Sequence, residues 1–96
     1  MNMPAALTAI ELHAAMVQAL TAQLAPSVLE LVDDSAAHAG HAGARSGAHF
    51  NLRIDSARFT GMSRIARHRL VYDALRPWMA EGVHALAIDA RTPAEA

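Results

Sequence analysis

The sequence predicts an α+β domain in the order α-β-β-α-β, with a three-stranded sheet and its helices packed on one face. Three observations predict it. Two segments with apolar residues at steps of three and four each follow a Thr or Ser that can cap a helix. Three short segments alternate between apolar and polar residues. Pro26 and Gly82 stand where the pattern changes from helix to strand. One wet strand face beside one apolar face implies an antiparallel pair covered by helices on one side.

The first helix opens on the capping box Thr8-x-x-Glu11, with Leu7 and Leu12 at the positions of a hydrophobic staple. Ile10, Ala14, Val17, Leu20 or Thr21, and Leu24 line one face at helical spacing, and Pro26 disfavours helix at Ala25. Val28 to Asp34 reads as a first strand. His49 to Asp55 reads as a second, with Phe50, Leu52 and Ile54 on one side and His49, Asn51, Arg53 and Asp55 on the other. The connection between them, residues 35–48, is built almost wholly from Ala, Gly, Ser, His and Arg and is long for a hairpin. Ser56 to Met62 reads as a turn anchored by Phe59. Ser63 caps the second helix, where Ile65, His68, Val71 or Tyr72, Leu75, and Trp78 or Met79 share a face. Pro77 should kink that helix or divide it. Gly82 supplies a stop, and Val83 to Asp89 forms the third strand with His84, Leu86 and Ile88 on one face. Thr92-Pro93-Ala94-Glu95 forms another capping box, good for a single turn.

Ninety-six residues make one domain, residues 1–96, with residues 1–6 expected to be a flexible lead-in. The net charge of −1 argues against a surface that is cationic throughout, as general nucleic-acid binding would need. The chain has no cysteine, so it builds no disulfide, thiolate nucleophile or Cys-ligated metal site by itself. That suits a cytoplasmic protein. Nothing in the sequence resembles a signal peptide or a membrane span. The apolar content of 53% includes 23 alanines, and all eight basic residues are Arg. This bias fits a GC-rich coding sequence better than a function.

Two groups of residues could carry chemistry. The first is histidine, six in number. Neutral imidazole is the commonest metal ligand and titrates near physiological pH. His38 and His41 fall in the long connection, where they are either presented to a partner or simply solvated. His84 opens the third strand, where it is either a ligand or a half-buried structural residue. His68 lies on the apolar stripe of the second helix and reads as structural. His49 faces water, and His13 lies on the first helix. No H-E-x-x-H is present, so the pattern excludes a self-contained zinc hydrolase of that type. The second group is basic. Residues 58–76 hold Arg58, Arg64, Arg67, Arg69 and Arg76 against Asp73 alone, a local charge of +4 (five minus one). Arg64, Arg67, Arg69 and Arg76 could grip phosphate bidentately, or could equally form a solvated helix face paired with nearby carboxylates. Ser63 and His68 are out of phase for a shared helical face, and no oxyanion loop is evident, so an enzyme is not expected.

The stretch from Arg58 to Tyr72 resembles the F-x-G-x-S-x-x-x-R-H-R-x-V-Y signature of BolA proteins. Downstream, Gly82 to Ile88 is similar to that family's G-x-H-A-L-x-I strand. Asp33-Asp34-Ser35, a His-containing loop and Ala48-His49-Phe50 are similar to its strand–loop–strand segment. The resemblance covers nearly all of residues 8–93. It implies a KH-like fold, but Gly61-Met62-Ser63-Arg64 departs from the G-x-x-G with which KH domains clamp a nucleic-acid backbone. It further implies a non-enzymatic partner of a monothiol glutaredoxin, monomeric alone and heterodimeric with that partner. The pair would share a [2Fe–2S] cluster with glutathione, in iron–sulfur trafficking or iron-linked regulation. The family's ligand maps onto His84. The loop ligand maps best onto His38 by its distance from Asp34-Ser35, with His41 as the competitor. Arg67 and Arg69 would be weaker contacts to the partner or to glutathione. BolA-like proteins are also linked to transcription and stress responses, which keeps DNA as a second partner for the arginine-rich helix.

Overall fold

The structure is a computed structural model that describes residues 7–34 and 48–95, with only the backbone described at Ala48 and His84. The expected lead-in at residues 1–6 and the connection carrying His38 and His41 lie outside the described residues. The element order is helix α1 (Ala9–Leu24), strand β1 (Val28–Asp33), strand β2 (Ala48–Asp55), helix α2 (Arg64–Met79) and strand β3 (Val83–Arg91). Single 3₁₀ turns lie at Ala57–Phe59 and Pro93–Glu95.

The caps form as the sequence requires. Thr8 Oγ1 accepts from the Glu11 amide at 3.1 Å, and the Thr8 amide donates back to Glu11 Oε1 at 2.9 Å. Ser63 Oγ accepts from the Ala66 amide at 3.1 Å and opens α2. At the other end of α1, Ala25 takes a left-handed conformation, φ 42°. Pro26 follows, and the turn lets the Ala25 amide donate to the Thr21 carbonyl at 3.2 Å.

The sheet order is β1-β2-β3, with β1 antiparallel and β3 parallel to the central strand. Leu29, Leu31 and Asp33 of β1 stand opposite Ile54, Leu52 and Phe50 of β2. Leu86, Ile88 and Ala90 of β3 complete those rows from the other side. The helices cover this face. Leu12, Met16, Leu20 and Leu24 of α1 and Val71, Ala74 and Leu75 of α2 are buried against Phe50, Leu52, Ile54 and Phe59. The opposite face carries Glu30, Val32, Asn51, Arg53, Ala87 and Asp89 around a shallow depression of about 350 Å³.

Four expectations are corrected. The α1 stripe through Ile10, Ala14 and Val17 is not the buried one, and Ile10 is 83% exposed. An alanine-rich helix offers two apolar stripes, and the one with larger side chains, Leu12-Met16-Leu20-Leu24, faces the core. On α2, Ile65 is likewise exposed, at 68%. Pro77 does not divide α2, which runs unbroken to Met79. It lies in the last turn, where the missing amide costs one bond and the helix is about to end. Finally, β3 runs two residues beyond Asp89, because Arg91 pairs with Asp55 and the Ser56 amide donates to the Arg91 carbonyl at 2.9 Å.

The choice of stripe is testable by urea unfolding. Leu12→Ala should cost about 2–5 kcal/mol, as buried leucine truncations do. Ile10→Ala should stay within about 0.5 kcal/mol, as for an exposed site. Equal losses would mean that α1 is rotated about its axis.

Candidate functional site

His49 and the backbone of His84 lie at one end of the sheet. β1 finishes there at Asp33, and the Asp34 amide donates to the His49 carbonyl at 2.8 Å. β2 begins there at Ala48, which pairs with Val83 at the start of β3. The next pair is His49 with Ala85, so the register shifts by one residue and His84 has no partner in β2. A single extra residue in one strand of a ladder is a bulge, a device that locally re-aims a strand. The side chain of His84, expected on one face with Leu86 and Ile88, lies outside the described residues. Residue 48 pairs with Val83, next to the His84 backbone, and residue 34 is bonded to His49 one strand farther away.

Two further contacts brace this end. Asn51 Nδ2 donates to Asp34 Oδ2 at 2.8 Å. His13 Nε2 lies 2.6 Å from the Leu31 carbonyl, and its ring packs 6.3 Å from the Phe50 ring, centroid to centroid. A carbonyl only accepts, so Nε2 carries the proton and the tautomer is set. His13 thus ties α1 to β1. His49, expected in water, is half-buried. Among the described residues no three His, Cys, Asp or Glu side chains group as a metal site. Nor is any helix there long and apolar enough to cross a membrane.

The four arginines singled out for phosphate are divided by the fold. Arg64 and Arg69 are exposed. Arg76 pairs with Asp73 one helical turn away. Arg67 is mostly covered, with 15% of its side chain exposed. Its Nε donates to the Met62 carbonyl at 3.0 Å, and its Nη1 donates to the Ala90 carbonyl at 3.2 Å and to Glu95 Oε1 at 2.7 Å. The same Glu95 oxygen accepts from the Thr92 amide at 2.6 Å. Arg67 therefore fastens the loop before α2, the end of β3 and the last 3₁₀ turn together. His68, read as a stripe residue, is half-buried along a groove of about 500 Å³ between α2 and β3, shared with Arg64, Arg67, Asp89 and Glu95. The capping box at Thr92 was visible in the sequence. Its Glu as the partner of Arg67 was not, because 28 residues separate them in the chain.

Comparison with known proteins follows the same outline. Residues 20–95 match the family described as BolA-like protein. The chain belongs to the BolA-like family. It is 48% identical over 83 residues to mouse BolA-like protein 1, covering 86% of this chain and 59% of that protein. It is 50% identical over 82 residues to the Arabidopsis thaliana SufE-like protein 1, covering 79% of this chain but 22% of that protein. This BolA-like chain thus spans only part of the length of these relatives. Among solved structures, BolA1 from Arabidopsis thaliana superposes with a TM-score of 0.76 at 39% identity, covering 88% of this chain and 95% of that one. The solution structure of BolA1 from Mus musculus gives 0.74 at 45% identity, covering 99% and 74%. The two-helix, three-stranded α+β fold is therefore that of BolA structures.

The Arg67 clamp predicts an acid response. Its guanidinium, with the Thr92 amide, holds the Glu95 carboxyl down at about 2 from an ordinary 4.5. A depressed carboxylate stabilises the fold above its unfolded pKa and loses that effect as pH falls toward the folded value. The stability gap between the wild type and Glu95→Gln should be full at pH 6 and close between about 4.5 and 2, read by thermal melts across that range. A gap that does not depend on pH would show that the carboxylate charge is not what fastens the turn.

Proposed function

We propose that this protein is a non-enzymatic partner of a monothiol glutaredoxin and shares a [2Fe–2S] cluster with it. His84 supplies one ligand and His38 the other, with His41 as the competing candidate. The role is iron–sulfur trafficking or iron-linked regulation in the cytoplasm, with the protein monomeric alone and heterodimeric with its partner. The observation that carries this reading is the meeting of chain ends at the histidine end of the sheet. The attachment of the His38- and His41-bearing segment at residue 48 lies next to the β3 bulge that contains His84, and its other attachment, at residue 34, is one strand away at the same end of the sheet. The donor chemistry agrees: a chain with six His and no Cys offers an iron–sulfur cluster imidazole nitrogen and no thiolate. When bound, such a cluster would take thiolates of the glutaredoxin and of glutathione on one iron and imidazoles on the other, as in Rieske-type centres. A BolA domain also occurs within a SufE-like protein, which fits an iron–sulfur-related role.

Reconstitution tests this. The protein is mixed with a monothiol glutaredoxin, glutathione, iron and sulfide, and visible circular dichroism is recorded. A heterodimer spectrum distinct from that of the glutaredoxin homodimer is expected, lost in His84→Ala and altered in whichever of His38→Ala and His41→Ala removes the second ligand. Far-UV spectra should stay unchanged. An unaltered cluster spectrum in His84→Ala would overturn the assignment.

A DNA-binding role is the second reading, favoured by the exposed Arg64 and Arg69 on one helix. With Arg67 and Arg76 held by intramolecular partners, two phosphate contacts remain, for a log–log salt slope of about −2. Filter binding to duplex DNA at graded salt measures it. No binding at about 50 mM salt dismisses this reading, and a slope near −4 would mean that the arginine pairs open on binding.

A further inference from the structure

The groove between α2 and β3 is separate from the histidine end. Its β3 wall runs from Ile88 to Ala90, four to six residues beyond His84, or roughly 13–20 Å along the strand. Its contents are a carboxylate and the groups that hold one. Glu95 Oε1 takes two donors, Arg67 Nη1 at 2.7 Å and the Thr92 amide at 2.6 Å. Arg67 stays in place without Glu95, because the Met62 and Ala90 carbonyls also hold it. Arg64 and His68, one turn apart on α2, line the same groove and have no hydrogen bond or ion pair among the described residues. Two further positively charged or chargeable groups thus stand beside a carboxylate that already has its donors. Asp89, on the opposite wall, is neutralised by a bidentate pair with Arg91 at 2.7–3.1 Å.

We infer that this groove is a docking site for a carboxylate side chain of an acidic segment on a partner protein, and that Glu95 occupies it as an internal competitor. The Pro93–Glu95 turn is short, its Glu95 side chain is half exposed, and it is fastened to α2 by that one carboxylate. Exchange of Glu95 for an incoming carboxylate keeps both donors satisfied, so the exchange leaves no buried orphan. Arg64 and His68 then contact the acidic neighbours of the incoming residue, which Glu95 alone does not reach. A carboxylate is favoured over a phosphate because the two donors, Arg67 Nη1 and the Thr92 amide, already converge on one carboxylate oxygen in this groove. The inference does not depend on the cluster reading, and its test contains no metal.

The test is binding of a fluorescein-labelled hexaglutamate peptide at low salt, followed by anisotropy, with amide chemical shifts to locate it. Removing the competitor in Glu95→Ala should tighten binding about tenfold, the factor by which Glu95 occupancy lowers the free site. Shifts should centre on Arg67, His68 and Thr92. Arg64→Ala, at an exposed position that makes no hydrogen bond or ion pair among the described residues, should weaken binding in both backgrounds. Glu95→Gln, which keeps neutral hydrogen bonds to the turn, serves if Glu95→Ala unfolds it, and should fall between. Equal affinity of the wild type and both Glu95 variants overturns the inference, as does no binding by any of them. Tighter binding and full competition by a hexanucleotide of similar charge also overturns it, by assigning the groove to phosphate.

Discussion

Ser56 is the residue on which the arrangement of the layers depends. It is almost fully buried, and its hydroxyl donates to the Leu24 carbonyl at 2.6 Å, the last residue of α1. The same oxygen accepts from the Arg58 amide at 3.1 Å, which starts the turn toward α2. Its own amide donates to the Arg91 carbonyl at the end of β3. One small side chain and its amide thus join the end of the first helix, the end of the last strand and the entry to the second helix. Next to it, the Asp55 carbonyl accepts from the Ser27 amide at 2.8 Å and fixes the start of β1. The buried Asp55 carboxylate is met by Arg53 Nη2 at 3.3 Å. These are hydrogen bonds in a site without solvent, where an unmade bond costs more than a made one gains.

The sheet therefore has two unlike ends. At one, short polar bonds close every element onto its neighbour. At the other, β1 and β2 part at Asp34 and Ala48, β3 breaks register at His84, and the histidine-bearing segment attaches. Packing of Phe50, Leu52 and Ile54 under both helices holds the two ends at a fixed separation.

Much of this was legible in the residues. Thr8-Glu11 and Ser63 announce their helices because capping is local chemistry. The alternation of Phe50, Leu52 and Ile54 announces β2 because one face is buried throughout. The element order and the helix-covered sheet follow. What sequence could not rank was which stripe of an alanine-rich helix faces inward. Ile10 and Leu12 are both apolar, and only the shape of the sheet chooses Leu12. The site divides in the same way. His84 was singled out by motif, but the bulge at its position depends on a one-residue mismatch between parallel strands that no single segment encodes. Arg67 was read either as a phosphate contact or as paired with nearby carboxylates, and its actual acceptors, on Met62, Ala90 and Glu95, all lie outside its own helix. Long-range partners of this kind leave no local period to read.

The parallel pairing of β2 with β3 has a consequence for how the histidine end comes to exist. Antiparallel β1 and β2 are chain neighbours across one connection, whereas β3 reaches β2 only after the chain has travelled the length of α2 and returned. The two contributions to that end are thus on opposite sides of a crossover and meet only when the crossover helix has docked. In the folded chain Ala48 of β2 and Val83 of β3 are paired, so the two segments meet at that point. This end of the sheet is complete only once β3 has paired with β2, so whatever reads it reads the folded chain.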